Sequence, residues 1–540
     1  MAEPIPQTIP AFLAAAASDR DRPALAAVES GQLVWRSWGQ VLLDVRRVAG
    51  GIAARDIQPG DRVAQTAPNC YGWVIADLAI LSLGAVHVPL HASSTNEQIR
   101  QQIEHSGAKL LLTDDSAGQR DLAVPRLSHG ELFHGSSTST AALGDGLGPD
   151  SLATILYTSG TTGEPRGVML THSNLVSNAV ALVEAVATGS NEVRLCLLPL
   201  SHIYARTCDL YTWLVRGSRL VLAESRDTIL RDCQLVRPTA INAVPYFYQK
   251  VAQRLESAGK AECLGALREA LGGELKRCFC GGAAVAPETE ALFERQGLPV
   301  LSGYGLTEAS PVVTASGPED YAAGSVGRPL PGAEVRVAGD GELLVRGPGV
   351  MRGYWRDEPA TSAALANGWL HTGDLGRLDD AGRLFITGRK KEIIVLSTGK
   401  NVDPARVEAL LCGSRWVEQA LVVGDGRKCL GALIVPNPEA LRAEIRRRRL
   451  WVWSKRRAVT HPRVVELYRE EIDRCLASAA PEERVGPFRL LARGFTPELG
   501  ELTPKLSLRR GVLTEHFGIE IAELFDGKAG RPAPPDPPPA

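Results

Sequence analysis

Most of the first 390 residues alternate short, β-branched strand patterns with helix patterns, and that alternation restricts the chain to stacked α/β layers. Leu152–Tyr157 and Arg219–Ala223 read as strands, and Gln98–His105 and Pro287–Arg295 as helices. Trp73–Leu90 is the longest apolar stretch, but Asp77, Gly84 and His87 interrupt it, so it reads as a buried helix entering a strand and not as a membrane span. At roughly 150 residues per packing unit the chain holds about three or four units. With 44% hydrophobic and 22% charged residues it can bury a full core.

The texture changes after Thr387, where the basic step Gly388-Arg389-Lys390-Lys391 separates two apolar strands, Arg383–Thr387 and Glu392–Leu396. A domain boundary is expected there. Beyond it, Asn437-Pro438 and His461-Pro462 read as helix starts, since proline suits the first helical position. The segment is expected to form a small α+β unit, and the proline-rich tail over 527–540 cannot make a core. Ten cysteines spread from Cys70 to Cys475 lack paired zinc spacing and read as reduced, mostly buried thiols. No positive region precedes the apolar run Ala11–Ala17, so a cytoplasmic location is expected.

The sharpest local signal is Tyr157-Thr-Ser-Gly-Thr-Thr-Gly-Glu-Pro-Arg-Gly167, in which hydroxyls, glycines and one cation crowd together. Small residues let a backbone approach phosphate oxygens, hydroxyls donate to them, and Arg166 adds a fixed positive charge. The segment fits neither the Walker pattern nor G-x-G-x-x-G. Strands flank it, Leu152–Tyr157 and Val168–Leu170, which points to a loop laid over a nucleotide.

This segment resembles the signature of the adenylate-forming superfamily of acyl-CoA synthetases, nonribosomal peptide adenylation domains and beetle luciferases. Further motifs follow in the family's order. Leu198-Pro-Leu-Ser-His202-Ile-Tyr-Ala-Arg206 resembles the substrate-side motif, Gly281-Gly282-Ala283-Ala284 the wall of the adenine pocket, and Gly303-Tyr304-Gly305-Leu306-Thr307-Glu308 the adenine and magnesium motif. Trp369-Leu-His-Thr-Gly-Asp374 resembles the ribose motif, and Gly388-Arg389-Lys390-Lys391-Glu392 the hinge. The resemblance implies a layered α/β adenylation domain over residues 1–388, a mobile α+β domain over 389–526 and a disordered tail over 527–540.

It also implies a reaction: a carboxylate attacks the α-phosphorus of ATP, and a thiol then attacks the mixed anhydride. Glu308, with Thr158, is expected to hold Mg²⁺. Thr158, Ser159, Gly160, Thr161, Thr162, Gly163, Arg166 and Thr307 would hold phosphates. Gly282, Ala283, Tyr304 and Gly305 would line the adenine pocket, Tyr304 by stacking. Asp374 would accept the ribose hydroxyls, Arg389 would reach the ribose or phosphates, and His202 would lie near the acyl carbonyl. Lys391 matches the pivot of the family's domain rotation, and Gly399 would let a pantetheine arm pass.

Two positions depart from the family. Arg166 stands where lysine is usual, keeping the charge but as a planar fork. In the terminal motif Leu502-Thr-Pro-Lys505-Leu-Ser507-Leu-Arg-Arg510, Ser507 occupies the catalytic lysine position. On an extended segment Lys505 would leave the same face as residue 507, and Lys505 is therefore the expected substitute.

The motif forms resemble those of long-chain fatty acid–CoA ligases. The implied partners are a medium- or long-chain fatty acid, ATP and CoA. An acyl-AMP ligase that loads a carrier protein, and a nucleotide- or lipid-binding homologue with decayed catalysis, are the other readings. The chain's 60 basic and 61 acidic residues give a net charge of −1, so nucleic acid is not an expected partner. Leu441–Thr460 nevertheless sets Arg442, Arg446–Arg449, Lys455, Arg456 and Arg457 against Glu444, with Trp451 and Trp453 between the basic clusters. Its readings are a peripheral contact with anionic lipid headgroups, a solvated basic face, and a grip on CoA phosphates.

Overall fold

The Trp73–Leu90 stretch folds as the helix Tyr71–Ser82 followed by the strand Val86–Leu90, and every residue from Gly72 to Ser82 is buried. A helix apolar on all sides needs cover on all sides. Two sheets and their helices supply it in this computed structural model, which describes residues 5–114, 124–134, 143–159, 165–186, 189–452, 454–503 and 507–525. Gly160, Thr161, Thr162, Gly163, Trp453, Lys505 and the tail from 527 lie outside the described residues.

Among the described residues the first sheet orders its strands 353–354, 165–171, 152–159, 86–90, 62–66, 110–113 and 126–128. The second orders them 328–329, 312–315, 300–305, 277–280, 240–243, 193–196, 219–222, 23–29 and 32–37, with its central pairs parallel. One core joins the layers, with Val63 and Leu110 from the first sheet and Leu25, Leu220 and Leu222 from the second. Trp38 and Trp213 stack within it at 4.4 Å between ring centroids, and the Trp213 indole N–H donates to the Ala24 carbonyl at 3.0 Å. Burying side chains of this size contributes about 1.5–3 kcal/mol each. The architecture is the α/β one that the strand and helix alternation predicts.

The polar residues that break the apolar stretch have a structural use. Asp77 and His87 are fully buried with Arg206, the Asp77 carboxylate standing 2.6 Å from the His87 Nδ1 and 2.6 Å from the Arg206 guanidinium. Arg206 also donates to Thr154 at 2.8 Å. Burial and the neighbouring guanidinium push His87 down to about 4, so the ring is neutral and its Nδ1–H donates to Asp77. The network anchors the widened helical turn Arg206–Tyr211 to the first sheet, and the His202 loop immediately precedes that turn.

A four-stranded antiparallel sheet, 334–337, 342–346, 370–378 and 384–389, follows the two large ones. Its last strand is expected to stop at Thr387 but continues through Gly388 and Arg389, because Arg389 pairs in register with Asp374. Beyond it a separate core forms around Ile394, Val407, Ile434 and Tyr468, covering the three-stranded sheet 417–423, 430–436 and 485–490. The helices expected at Asn437 and His461 begin there. Asn437 accepts the N–H groups of Glu439 and Ala440, a cap worth about 1 kcal/mol, and His461 Nδ1 accepts that of Arg463. This smaller unit rests on the helix Pro245–Ser257, where Glu418 accepts from Tyr246 at 3.2 Å and Lys250 at 3.1 Å.

Candidate active site

The hydroxyl-rich segment begins and ends in an antiparallel pair, Leu152–Ser159 with Pro165–Thr171, whose register sets Thr158 opposite Arg166. Ser159 and Pro165, the described residues on either side of the segment, thus pair with each other, one strand in from the edge of the first sheet. Arg166 is held there by Asp357 at 3.6 Å and lies 5.5 Å from the ring centroid of Tyr354. Tyr354 reaches this place because Gly353–Tyr354 pairs with Val168 and Met169.

Tyr354 also touches the second motif. Its hydroxyl donates to Glu308 Oε1 at 2.8 Å, and the Glu308 carbonyl accepts the Met351 N–H at 2.8 Å. Burial and the adjacent carboxylate both push the phenol up, so it remains a donor. Glu308 lies on the single helical turn Thr307–Ala309, closed by the bond from the Leu306 N–H to the Pro311 carbonyl and pinned by Asn178 to the Ala309 and Val312 carbonyls. Gly305 is required here, since a Cβ would stand 1.8 Å from the Pro311 oxygen.

The ribose-side group assembles from three segments. Asp374 is 5% exposed, and its carboxylate accepts from Tyr304 at 2.8 Å on one oxygen and from Arg389 at 2.9 Å on the other. Desolvation and the carboxylate together drive the Tyr304 phenol well above its ordinary value. Each Asp374 oxygen keeps a lone pair for a further donor.

Tyr304, Gly305 and Thr307 line a cavity that also takes in His202, Gly281 and Gly282. Tyr204, Phe279, Leu182 and Leu301 extend it into the space between the helix His172–Val186 and the second sheet. Ala283 is exposed beside Gly282, which has φ +88. Gly281 is a close approach, because a Cβ there would meet the Tyr204 ring at 3.1 Å. His202 Nδ1 accepts the Tyr204 N–H at 3.0 Å, and its ring faces that of His91 at 6.3 Å.

The C-terminal residues lie apart from this cavity. Lys391 is exposed after the last strand of the four-stranded sheet, and Gly399, at φ +78, turns the small hairpin between Ile394–Val395 and Asn401–Val402. The expectation of an extended segment through Ser507 is corrected. Leu502 and Leu508 form an antiparallel bridge, the Thr503 N–H donates to the Ser507 carbonyl at 2.8 Å, and the Ser507 N–H donates to Thr503 Oγ1 at 3.1 Å. These bonds between Thr503 and Ser507 are not those of one extended strand, and Lys505 lies outside the described residues. A threonine hydroxyl that caps a backbone N–H four residues on favours a turn over a strand. Ser507 itself is exposed.

In the basic Leu441–Thr460 segment, Glu444 pairs with both Arg447 and Arg448, while Trp451 is 83% exposed. No helix among the described residues is long and apolar enough to cross a membrane.

Of the residues singled out from sequence, His202, Gly282, Tyr304, Gly305 and Thr307 line one cavity, while Asp374 joins it through Tyr304 and Glu308 follows Thr307 in the chain. Tyr354, Asp357 and Asn178 were not among them. Tyr354 lies 46 residues beyond Glu308 in the short Gly353-Tyr354-Trp355 run, whose aromatic pair between Gly353 and Arg356 was the available signal. Among the described residues no cluster of three or more acidic, histidine or cysteine side chains is poised for a metal. Mg²⁺ does not need one, since it retains waters and takes one or two carboxylates with substrate phosphates. Glu308 fits that demand, because its Oε1 is oriented by Tyr354 and its second oxygen is a hard donor.

The AMP-binding enzyme family matches residues 12–355, and the AMP-binding enzyme C-terminal domain matches residues 391–529. The long-chain-fatty-acid–CoA ligase FadD15 of Mycobacterium bovis is 33% identical, over 89% of this chain and 91% of that protein. A feruloyl-CoA synthase of Amycolatopsis is also 33% identical, over 70% of this chain and 78% of its own. Among solved structures, the o-succinylbenzoate CoA synthetase of Bacillus subtilis with its acyl-adenylate intermediate superposes with a TM-score of 0.76 at 27% identity, covering 93% of this chain and 97% of that one. The same synthetase with ATP and a magnesium ion gives a TM-score of 0.74 at 27% identity, over 93% and 98%. The chain belongs to the AMP-binding enzyme family, as an acid–thiol ligase that works through an acyl-adenylate with ATP, Mg²⁺ and CoA.

Proposed function

We propose that the protein activates a medium- or long-chain fatty acid as its adenylate and transfers the acyl group to CoA, releasing AMP and pyrophosphate. The observation that carries this reading is a cavity lined by Tyr304 and Thr307 together with Tyr204, Phe279 and Leu301, with Asp374 bonded to Tyr304 and Glu308 next to Thr307. The fatty acid is supported by the FadD15 likeness and by the long-chain forms of the substrate-side and terminal motifs.

In this reading Asp374 takes the ribose hydroxyls, Tyr304 packs on adenine, and Thr158, Ser159, Thr307 and Arg166 hold phosphates with Gly160, Thr161, Thr162 and Gly163. Gly282, Ala283 and Gly305 border the adenine. Glu308, with Thr158, would hold Mg²⁺, which would supply positive charge against the phosphates that repel the attacking carboxylate. His202 lies beside the acyl carbonyl. Arg389, from the hinge, releases Asp374 or shares it when the ribose arrives, Lys391 serves as the pivot between residues 1–388 and 389–526, and Gly399 borders the CoA path. Lys505 remains the cation proposed to replace the missing lysine.

The test is pyrophosphate exchange across saturated mono- and dicarboxylic fatty acids with mass detection of acyl-CoA. Exchange with acyl-CoA formation supports the reading. Exchange without thioester replaces it by transfer to a carrier protein. Neither product, under conditions in which a comparable ligase works, replaces it by a nucleotide- or lipid-binding homologue, the alternative that Ser507 favours. We also assign the segment around exposed Trp451 to contact with anionic headgroups. Salt-insensitive or absent binding to phosphatidylserine vesicles refutes that assignment.

A further inference from the structure

The cavity that takes in His202 and Tyr304 is not lined by hydrocarbon alone. Arg194, on the strand Val193–Cys196, and Arg216, the last residue of the helix Thr212–Arg216, both line it, with side chains 3% and 1% exposed. Glu192 joins them, accepting from Arg194 at 2.8 Å and from Arg216 at 3.1 Å. Arg194 also donates to the Cys208 carbonyl at 2.5 Å and lies 3.7 Å from Asp209, which accepts from Asn242 at 2.5 Å. The Arg194 guanidinium lies 5.3 Å from the Phe279 ring centroid, within the wall the acyl chain would follow.

These bonds leave donors over. Arg194 Nη2, Arg216 Nε and Arg216 Nη2 are buried without a hydrogen-bond partner among the described residues. An unsatisfied buried donor is costly, and more so when charged, so three on one guanidinium pair are a heavy load for a purely structural role. A layer that only needed filling would be served by leucine. The charge points the same way. Burial pushes the Asp209 carboxyl up to about 7, so near neutrality a substantial share of molecules hold two guanidinium groups against Glu192 alone. A planar acceptor of negative charge matches what is left, since carboxylates meet guanidinium groups in the bidentate geometry that Arg favours.

We propose that the acid activated by this ligase carries a second carboxylate at the end remote from the reacting one, and that Arg194 and Arg216 bind it. The inference rests on the acyl-CoA ligase reading and narrows its substrate to α,ω-dicarboxylic acids with an aliphatic middle. Arg194 and Arg216 are specificity residues in this scheme. They bind the far end of the substrate and stand apart from the Glu308 and Asp374 groups.

The test is equilibrium dialysis of radiolabelled α,ω-dicarboxylic acids, their half methyl esters and the matched monocarboxylic acids against the full-length protein, with turnover to acyl-CoA measured separately. The expected result is binding of the dicarboxylic acid at least tenfold tighter than its half ester or monoacid at one chain length. In Arg194→Met and Arg216→Met that advantage disappears, read in whichever variant keeps the wild-type thermal midpoint. If neither variant keeps it, the wild-type comparison alone decides. Equal or tighter binding of the monoacid overturns the inference and leaves the ligase reading standing. Selective dicarboxylate binding without any turnover supports the inference and refutes the active-ligase reading. Binding of none of the three refutes both.

Discussion

Replacing Tyr354 by phenylalanine removes one oxygen and tests whether Glu308 is held in place from across the first sheet. The lost contact is a 2.8 Å bond from a phenol to a carboxylate. Bonds to a charged partner contribute about 1.5–3 kcal/mol, and because Glu308 is only half-buried and water can replace part of the loss, about 1–2 kcal/mol is expected here. At 1.36 kcal/mol per factor of ten, kcat/KM for MgATP in pyrophosphate exchange should fall about 5- to 30-fold. The phenylalanine ring retains the packing against Arg166 and the strand pairing with Val168, so the thermal midpoint should scarcely move. The cycle with Glu308→Gln separates positioning from general damage. If Tyr354 acts by orienting Glu308, adding Tyr354→Phe to Glu308→Gln costs little further activity. Full additivity of the two losses, or a wild-type response of Tyr354→Phe to MgATP, refutes the reasoning.

Ser507→Lys should raise the adenylation rate by about 10²–10³ if the lysine position is vacant in function, measured by single-turnover acyl-adenylate formation; no gain means another group supplies the charge. Gly305→Ala should abolish exchange, because its Cβ would overlap the Pro311 carbonyl oxygen. Gly511→Ala, with nothing within 4 Å of the added carbon in a helix, should instead stabilise the fold by about 0.5–1 kcal/mol in urea unfolding. Burial lowers His172 to about 4 from its ordinary 6.5, so it contributes stability that is present above pH 6.5 and lost as pH falls toward 4. His172→Gln should therefore flatten the pH dependence of unfolding by up to about 1.4 kcal/mol per unit in that window. Asp209 and Glu408, both raised to about 7 by burial, act with the opposite sign as pH rises from 4 to 7, so the variant must be compared with wild type at each pH.

The residues that lay in local patterns were legible in the sequence. Strand and helix periodicities, the proline helix starts at 438 and 462 and the hairpin around the hydroxyl-rich loop depend on neighbours a few positions away, and each forms where expected. The order of the motifs was enough to identify the reaction class. Other features join residues remote in sequence. Tyr354 meets Glu308 because a two-residue strand pairs with Val168, and Tyr304, Asp374 and Arg389 meet because separate sheets end at one place. The extended reading of the terminal motif failed for the same reason, since period-two spacing does not reveal that Thr503 folds back on Ser507.

The sequence alone therefore determined the layered fold and the nucleotide chemistry, because these reside in short contiguous motifs. Only the tertiary structure decided which carboxylate is oriented by which phenol, and that Arg194 and Arg216 line the same cavity as Tyr304. Packing brings segments hundreds of residues apart within hydrogen-bond distance, and the charge it buries at such a junction is not encoded in any one segment.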